Sequence, residues 1–135
     1  PRPLAMLDFD HRKARNDPRG DAEGARRRGE GPRRMLEALR SEDELGRYGG
    51  EEFLAVFPMT DAEGGASAGE RLRRAVFAVH LSAPVPGATT RDRASVSVGI
   101  ATIREEDKSL DVLLRRADAA LYEAKQTGRN RVVVR

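Results

Sequence analysis

Short apolar blocks alternate along this chain with polar and glycine-rich stretches, and their spacing predicts an α/β order. "PLAMLDF" is a continuous apolar run ending in Asp8 and followed by Asp10, which reads as a buried strand. From Asn16 to about Gly31 the chain is polar, rich in Arg and Gly, and without clear period. "RRMLEALR" regains helical spacing through Met35, Leu36 and Leu39. "ELGRYGGEEFLAVF" reads as strand, tight turn, strand: Gly49-Gly50 supplies positive φ angles. Phe53, Ala55 and Phe57 alternate with Leu54 and Val56, so the second strand is expected to be buried on both faces.

"TDAEGGASAGERLRRAVFAVHL" starts with a cap at Thr60 or Asp61 and continues as a helix with Leu72, Val76 and Val79 on one stripe. Pro84, Pro86 and Gly87 mark a loop or small hairpin. "RASVSVGIATI" is the clearest strand. "SLDVLLRRADAALYEAKQTG" is the clearest helix, with Leu110, Leu113, Leu114, Ala117 and Leu121 in helical spacing and a stop at Gly128. "RVVVR" closes as a strand. The predicted order is β, α, β-β, α, β, α, β, an α/β fold with a mixed central sheet flanked by helices. No repeat and no domain boundary interrupts it.

Composition narrows the function classes. With 135 residues the chain forms one domain with a real core. The absence of cysteine excludes disulfides and thiolate metal sites. No apolar run approaches the roughly 20 residues of a membrane span, and "PRPLAMLDFD" does not read as a signal peptide. The expected location is therefore a reducing compartment, the cytoplasm. Charged residues make up 35% of the chain but nearly cancel to +3, which permits an anionic ligand without requiring nucleic acid. With two tyrosines and no tryptophan, a base-stacking platform is not expected.

Candidate chemistry starts at the turn. If the strand ending at Asp8 neighbours the strand opened by Glu51 and Glu52, carboxylates meet at one sheet edge. Hard oxygen ligands there suit magnesium, which takes one or two carboxylates plus substrate phosphates. Such an ion can orient a triphosphate and spread its developing charge. Each piece alone has a plain structural reading: a Gly-Gly pair is usually a turn, and an Asp ending a strand a solvated cap.

"RYGGEEF" resembles the signature of the GGDEF family, the bacterial diguanylate cyclases, in its GGEEF form. "LDFDHRKARND", "SVSVGIA" and "ADAALYEAKQTGRNRV" are similar to further family segments in matching order, so the resemblance covers nearly the whole chain. It implies a single GGDEF domain over residues 1–135, with a fold related to adenylate cyclase and polymerase palm domains. The family's "LTGLxNR"-like lead is missing, so the chain is expected to be a piece without its N-terminal lead, taken from a larger protein whose upstream sensory or regulatory domain lies outside it. The implied activity is condensation of two GTP into cyclic di-GMP and pyrophosphate by a homodimer. No nucleic acid and no membrane contact within this chain is implied.

The resemblance also implies roles. Asp8, Glu51 and the Phe9 carbonyl would hold magnesium, with manganese as the alternative, and Asp10 is a further acid nearby. Glu52 would sit beside the reacting hydroxyl or the metal. Asn16 would bind guanine, Gly49 and Gly50 would let the backbone approach the nucleotide, and Lys13, Lys125 and Arg129 would bind phosphates. Lys125 and Arg129 also suit a helix end on electrostatic grounds alone. Arg40 and Asp43, in "RSED", have the RxxD spacing of the family's product-inhibition site, where Arg forks onto phosphate or guanine. Arg71 matches an arginine that a second molecule contributes to that site.

The match breaks between residues 11 and 34. The acid expected on guanine falls on Ala25, an aromatic position on Arg12, and a histidine position on Asp21. Losing one polar guanine contact costs about 1–3 kcal/mol of binding. Gly29, Gly31 and Pro32 are poor residues for the helix expected there. The run Arg26, Arg27, Arg28, Arg33 and Arg34 reads as a flexible or solvated segment. These departures support an alternative, a weak or inactive GGDEF domain acting as a cyclic di-GMP receptor.

Overall fold

The computed structural model describes residues 2–10, 30–49, 51–79 and 94–135. The expected strands form in the expected order: β1 (Pro3–Phe9), β2 (Glu44–Tyr48), β3 (Glu52–Val56), β4 (Val96–Thr102) and β5 (Val132–Val134). They make one sheet in the order β2-β3-β1-β4-β5, antiparallel except for the parallel β4–β5 pair. The central position of β1 explains why "PLAMLDF" is apolar at nearly every residue: it has a neighbour on each edge and helices on each face.

Residues 30–37 form helix α1, followed by α2 (Ala62–Phe77) and α3 (Leu110–Gln126). Ala5, Leu7 and Phe9 of β1 face α1 and α2, sharing a core with Met35, Leu72, Val76 and Val79. The alternate residues Leu4 and Met6 face α3, against Leu113, Ala117 and Leu121. Each large side chain buried this way contributes roughly 1.5–3 kcal/mol. Asp61 caps α2 by accepting from the Gly64 N–H at 2.8 Å.

Gly99 sets how closely α3 lies on the sheet. A Cβ there would stand 2.1 Å from the Leu121 nitrogen and 2.3 Å from the Ala117 carbonyl oxygen, so only glycine admits the helix backbone. α3 thereby reaches along β1 and β4 to the end where Asp8 emerges.

Three local expectations need correction. Leu36 and Leu110 fit the helical stripes yet are 56% and 63% exposed, because α1 and α3 bury narrower faces than the stripe suggests. β3 is fully buried on the Phe53–Ala55 face only; Leu54 and Val56 are half-buried, since α3 lies over β1 and β4 rather than over β3. Gly31 and Pro32 do not prevent a helix. Gly31 lies where the Phe9 ring would be 2.6 Å from a Cβ, and Pro32 falls in the first described turn, where proline is best tolerated. The expected loop or small hairpin around Pro84, Pro86 and Gly87 lies outside the described residues. Among the described residues no helix is long and apolar enough to cross a membrane.

Candidate functional site

The β2–β3 hairpin turns at Gly49, whose φ of 62° is the left-handed conformation the sequence predicts for this position. The turn delivers Glu51 and Glu52 to the start of β3. Antiparallel pairing then sets Glu52 directly across from Asp8, and Glu51 immediately precedes that pair. Residues directly opposite in such a ladder present their side chains on the same face, here the face that α3 covers through Met6 and Leu121. Two carboxylates in that relation repel unless positive charge offsets them.

The positive charge comes from the last turn of α3. Lys125 Nζ lies 3.7 Å from Asp8 Oδ2 and 2.9 Å from Asp10 Oδ1. It donates to the Phe9 carbonyl at 3.1 Å and, more weakly, to the Asp8 carbonyl at 3.4 Å. All of these partners are oxygens, and three of them belong to Asp8 and Phe9. The local chemistry thus fits a hard cation: the Asp8 and Asp10 carboxylates and the Asp8 and Phe9 carbonyls already gather around an ammonium. Among the described residues no three acids or histidines cluster tightly enough to enclose an ion by themselves. Two carboxylates and a carbonyl are the smaller protein share used where substrate phosphates complete the shell.

Asp10 is held by four hydrogen bonds, though the sequence marks it only as a further acid nearby. Its buried carboxylate accepts from Ser97 Oγ at 2.7 Å and Ser95 Oγ at 2.8 Å, both on or beside β4. It also accepts from Lys125 Nζ at 2.9 Å and from the Asn130 N–H at 3.0 Å. Burial would raise its pKa, but the Lys125 charge and the hydrogen bonds from Lys125, Ser97 and Ser95 hold it below the ordinary value. Arg129 and Asn130 follow α3 with φ of 63° and 45°, a sparsely populated conformation for residues other than glycine. Asn130 Oδ1 accepts from Arg73 of α2 at 2.9 Å, and Arg73 forks onto Glu70 with two bonds of 2.7 Å. Hydrogen bonding from Arg73 is the chief reason the Glu70 carboxyl is held below its ordinary value.

A second polar cluster lies between α1 and β2. The Arg40 N–H donates to Asp43 Oδ2 at 2.9 Å while the Asp43 N–H donates to the Arg40 carbonyl at 3.0 Å, so the RxxD spacing closes a turn. Arg71 of the same chain approaches Asp43 Oδ2 at 4.0 Å and donates to the Ala38 carbonyl at 2.7 Å. The sequence resemblance assigns this arginine to a second molecule; it stands beside its own chain's Asp43. The Asp43 carboxylate is 1% exposed, and its Oδ1 is buried with no hydrogen-bond partner among the described residues.

The family described as "Diguanylate cyclase, GGDEF domain" matches residues 2–131. This chain belongs to that family. It is 34% identical over 131 residues to diguanylate cyclase A of Treponema denticola, covering 97% of this chain and 34% of that protein. To diguanylate cyclase DgcP of Pseudomonas aeruginosa it is 37% identical over 133 residues, covering 97% of this chain and 19% of the relative. The GGDEF domain thus spans about a third or less of the length of these curated relatives. Among solved structures it resembles the GGDEF domain of DgcB from Caulobacter crescentus in complex with c-di-GMP, with TM-score 0.84, 33% identity, and 98% and 77% of the two chains covered. Diguanylate cyclase SiaD of Pseudomonas aeruginosa, in complex with its activator SiaC, gives TM-score 0.85 and 36% identity over 99% of this chain and 50% of that one.

Asp8, Phe9, Glu51, Glu52, Gly49 and Lys125 of this GGDEF domain gather at one end of the central strands, with Arg129 on the turn after α3. Arg40, Asp43 and Arg71 meet separately. Lys13, Asn16, Gly50 and Ala25 lie outside the described residues. Sequence reasoning undervalued Asp10 and missed Ser95, Ser97, Asn130 and Arg73. Alternation was the available signal: Asp10 follows Asp8 by two residues, and Ser95 and Ser97 alternate with valine in "SVSV".

Proposed function

We propose that this GGDEF domain is a diguanylate cyclase that condenses two GTP into cyclic di-GMP and two pyrophosphates as an antiparallel homodimer. Each nucleotide's 3′-hydroxyl loses its proton to solvent as its oxygen forms a bond to the other's α-phosphorus. The bond from that phosphorus to the α–β bridging oxygen breaks, and pyrophosphate leaves with the electron pair. Asp8, Glu51 and the Phe9 carbonyl would hold magnesium or manganese, which when bound offsets charge on the triphosphate and favours attack by the hydroxyl. Glu52 would stand beside the reacting hydroxyl or the metal. Lys125 and Arg129, with Lys13, would bind phosphates, while Asn16 would bind guanine and Gly49-Gly50 would let the backbone approach the nucleotide.

The observation that carries this reading is the opposition of Asp8 and Glu52 beside Glu51, with the Lys125 ammonium already held by Asp8 and the Phe9 carbonyl. The test is chromatography of products after concentrated domain is incubated with GTP and magnesium, beside Glu51→Gln. Cyclic di-GMP from the parent and none from the variant is the expected result; equal synthesis by both would sink the assignment of Glu51.

A second reading is favoured by the buried Asp43 Oδ1 near Arg71, which has no hydrogen-bond partner among the described residues, and by Ala25 in place of an acid. In it the domain synthesises little and binds cyclic di-GMP at Arg40, Asp43 and Arg71, signalling by association. Folded parent protein that makes no product, even when fused to a dimerising module, but binds cyclic di-GMP and loses that binding in Arg40→Ala, selects this reading.

A further inference from the structure

The Asp10 carboxylate has no spare capacity for a ligand. Oδ1 accepts from Ser97 Oγ at 2.7 Å and Lys125 Nζ at 2.9 Å; Oδ2 accepts from Ser95 Oγ at 2.8 Å and the Asn130 N–H at 3.0 Å. A carboxylate offers about four lone-pair sites, and all are used. Its side chain is 0% exposed, so neither a metal nor a phosphate reaches it without displacing a donor.

Two of those donors nevertheless lead to the phosphate-binding cations proposed above. One is Lys125 itself. The other is the Asn130 N–H, one residue beyond Arg129, in a turn where both residues hold positive φ. Such a turn persists only where its surroundings over-determine it. Here the Arg129 N–H is fixed on the Ala124 carbonyl at 2.9 Å, the Asn130 N–H on Asp10, and the Asn130 side chain on Arg73. The two serines tie the same carboxylate to β4.

We infer that Asp10 is a positioning residue for the triphosphate: one buried carboxylate, anchored on β4 by Ser95 and Ser97, sets where Lys125 and the Arg129 turn stand. The inference rests on the nucleotide reading above and deepens it. Asp10 touches no substrate; it fixes the two cations relative to Asp8 and Phe9 before a nucleotide arrives, which lowers the ordering cost of binding.

The test measures binding, by calorimetry with magnesium, of guanosine 5′-(α,β-methylene)triphosphate, whose α–β bridge cannot be cleaved, and of GMP. The parent binds the triphosphate more tightly than GMP. Asp10→Asn keeps shape but offers one acceptor oxygen where two are needed, and should weaken the triphosphate about tenfold or more while leaving GMP within about twofold. In a Lys125→Met, Arg129→Ala background, adding Asp10→Asn should cost less than about twofold further, because the groups it positions are gone. Equal weakening of both ligands, or full additivity in that background, would mean a general structural role and overturn the inference. A parent that does not distinguish the triphosphate from GMP defeats the nucleotide reading, and this inference with it.

Should Asp10→Asn not fold, the parent still decides. The chain has three lysines, and Lys108 is exposed. With 15N-labelled lysine, a held Lys125 ammonium exchanges its protons measurably more slowly than that of Lys108 before any ligand is added. Exchange as fast as Lys108 would overturn the inference.

Discussion

α3 carries an aspartate–cation cluster at each of its two ends, and the two are built differently. Near its N-terminus, Arg116 forks onto Asp107 with bonds of 2.8 and 2.9 Å and donates to the Thr102 carbonyl at 2.6 Å, while the Arg104 N–H adds a bond of 2.7 Å to the same carboxylate. Near its C-terminus, Lys125 bridges Asp10, Asp8 and the Phe9 carbonyl beside two residues of positive φ and an opposed acidic pair. The first cluster uses a planar fork that fits one partner and holds it. The second uses an ammonium with rotatable donors, which can keep Asp10 while turning toward a newly arrived anion. On the proposed reading, the difference separates the end of the helix that closes a loop from the end that would receive a ligand.

The same substitution made at both ends gives the largest expected separation. Asp8→Asn should lower cyclic di-GMP synthesis about a thousandfold or more, some 4 kcal/mol of barrier, whereas Asp107→Asn should leave the rate per folded molecule within about twofold. Product chromatography at matched folded concentrations reads both. A loss of similar size at Asp107 would erase the functional distinction between the ends.

Gly99→Ala attacks the seat that both ends share. Its Cβ would strike α3 backbone atoms rather than flexible side-chain tips. A cost of about 3 kcal/mol is expected, at the upper end of overpacking, read as a lowered urea midpoint. Gly46→Ala on exposed β2, where no described residue lies within 4 Å of the added Cβ, is the control and should change stability by less than about 0.5 kcal/mol. A Gly99→Ala variant as stable as the parent would mean that α3 does not sit as closely on β4 as described.

Exchange of the two cations sharpens the comparison further. Lys125→Met should weaken a non-cleavable GTP analogue about 10- to 100-fold, the worth of one charge-assisted hydrogen bond of about 1.5–3 kcal/mol. Arg116→Met should leave that affinity unchanged and lower the melting temperature instead. Calorimetry and thermal melts on the same preparations would catch the reverse pattern.

What the sequence revealed about these ends follows from distance along the chain. The hairpin, the stripe of Leu72, Val76 and Val79 and the C-terminal helix were legible because their partners lie within a few residues, where period and turn chemistry act. The RxxD spacing was legible for the same reason, since Arg40 and Asp43 close a turn on each other. Asp10 was not, because its partners Ser95, Lys125 and Asn130 lie 85 to 120 positions away, and an acid just past a strand ordinarily reads as a solvated cap. The pairing of Asp8 with Glu52 could be stated only as a condition, because local pattern does not reveal which strand neighbours which. Leu36 and Leu110 show the remaining limit: period marks a stripe, but tertiary contact decides how much of it is covered.

The smallest effect concerns pH, and it belongs to the closed end. Hydrogen bonds from Arg116, then from the Arg104 N–H, hold the Asp107 carboxyl at about 2, against an ordinary 3.8. A carboxyl whose folded-state pKa is depressed contributes stability that is present above the unfolded value and is lost as pH falls through the folded one. The contribution of Asp107 is therefore complete above about pH 4 and declines between about pH 4 and pH 2. Urea midpoints of the parent and Asp107→Asn should differ by a constant amount from pH 7 down to about pH 5 and converge as pH approaches 2. The carboxylate is 3% exposed, so added salt should reduce the gap less than for a surface pair. A gap that stayed constant down to pH 2 would mean that Asp107 gains nothing from its fork of donors, and the contrast between a locked end and a ligand-ready end would lose its structural half.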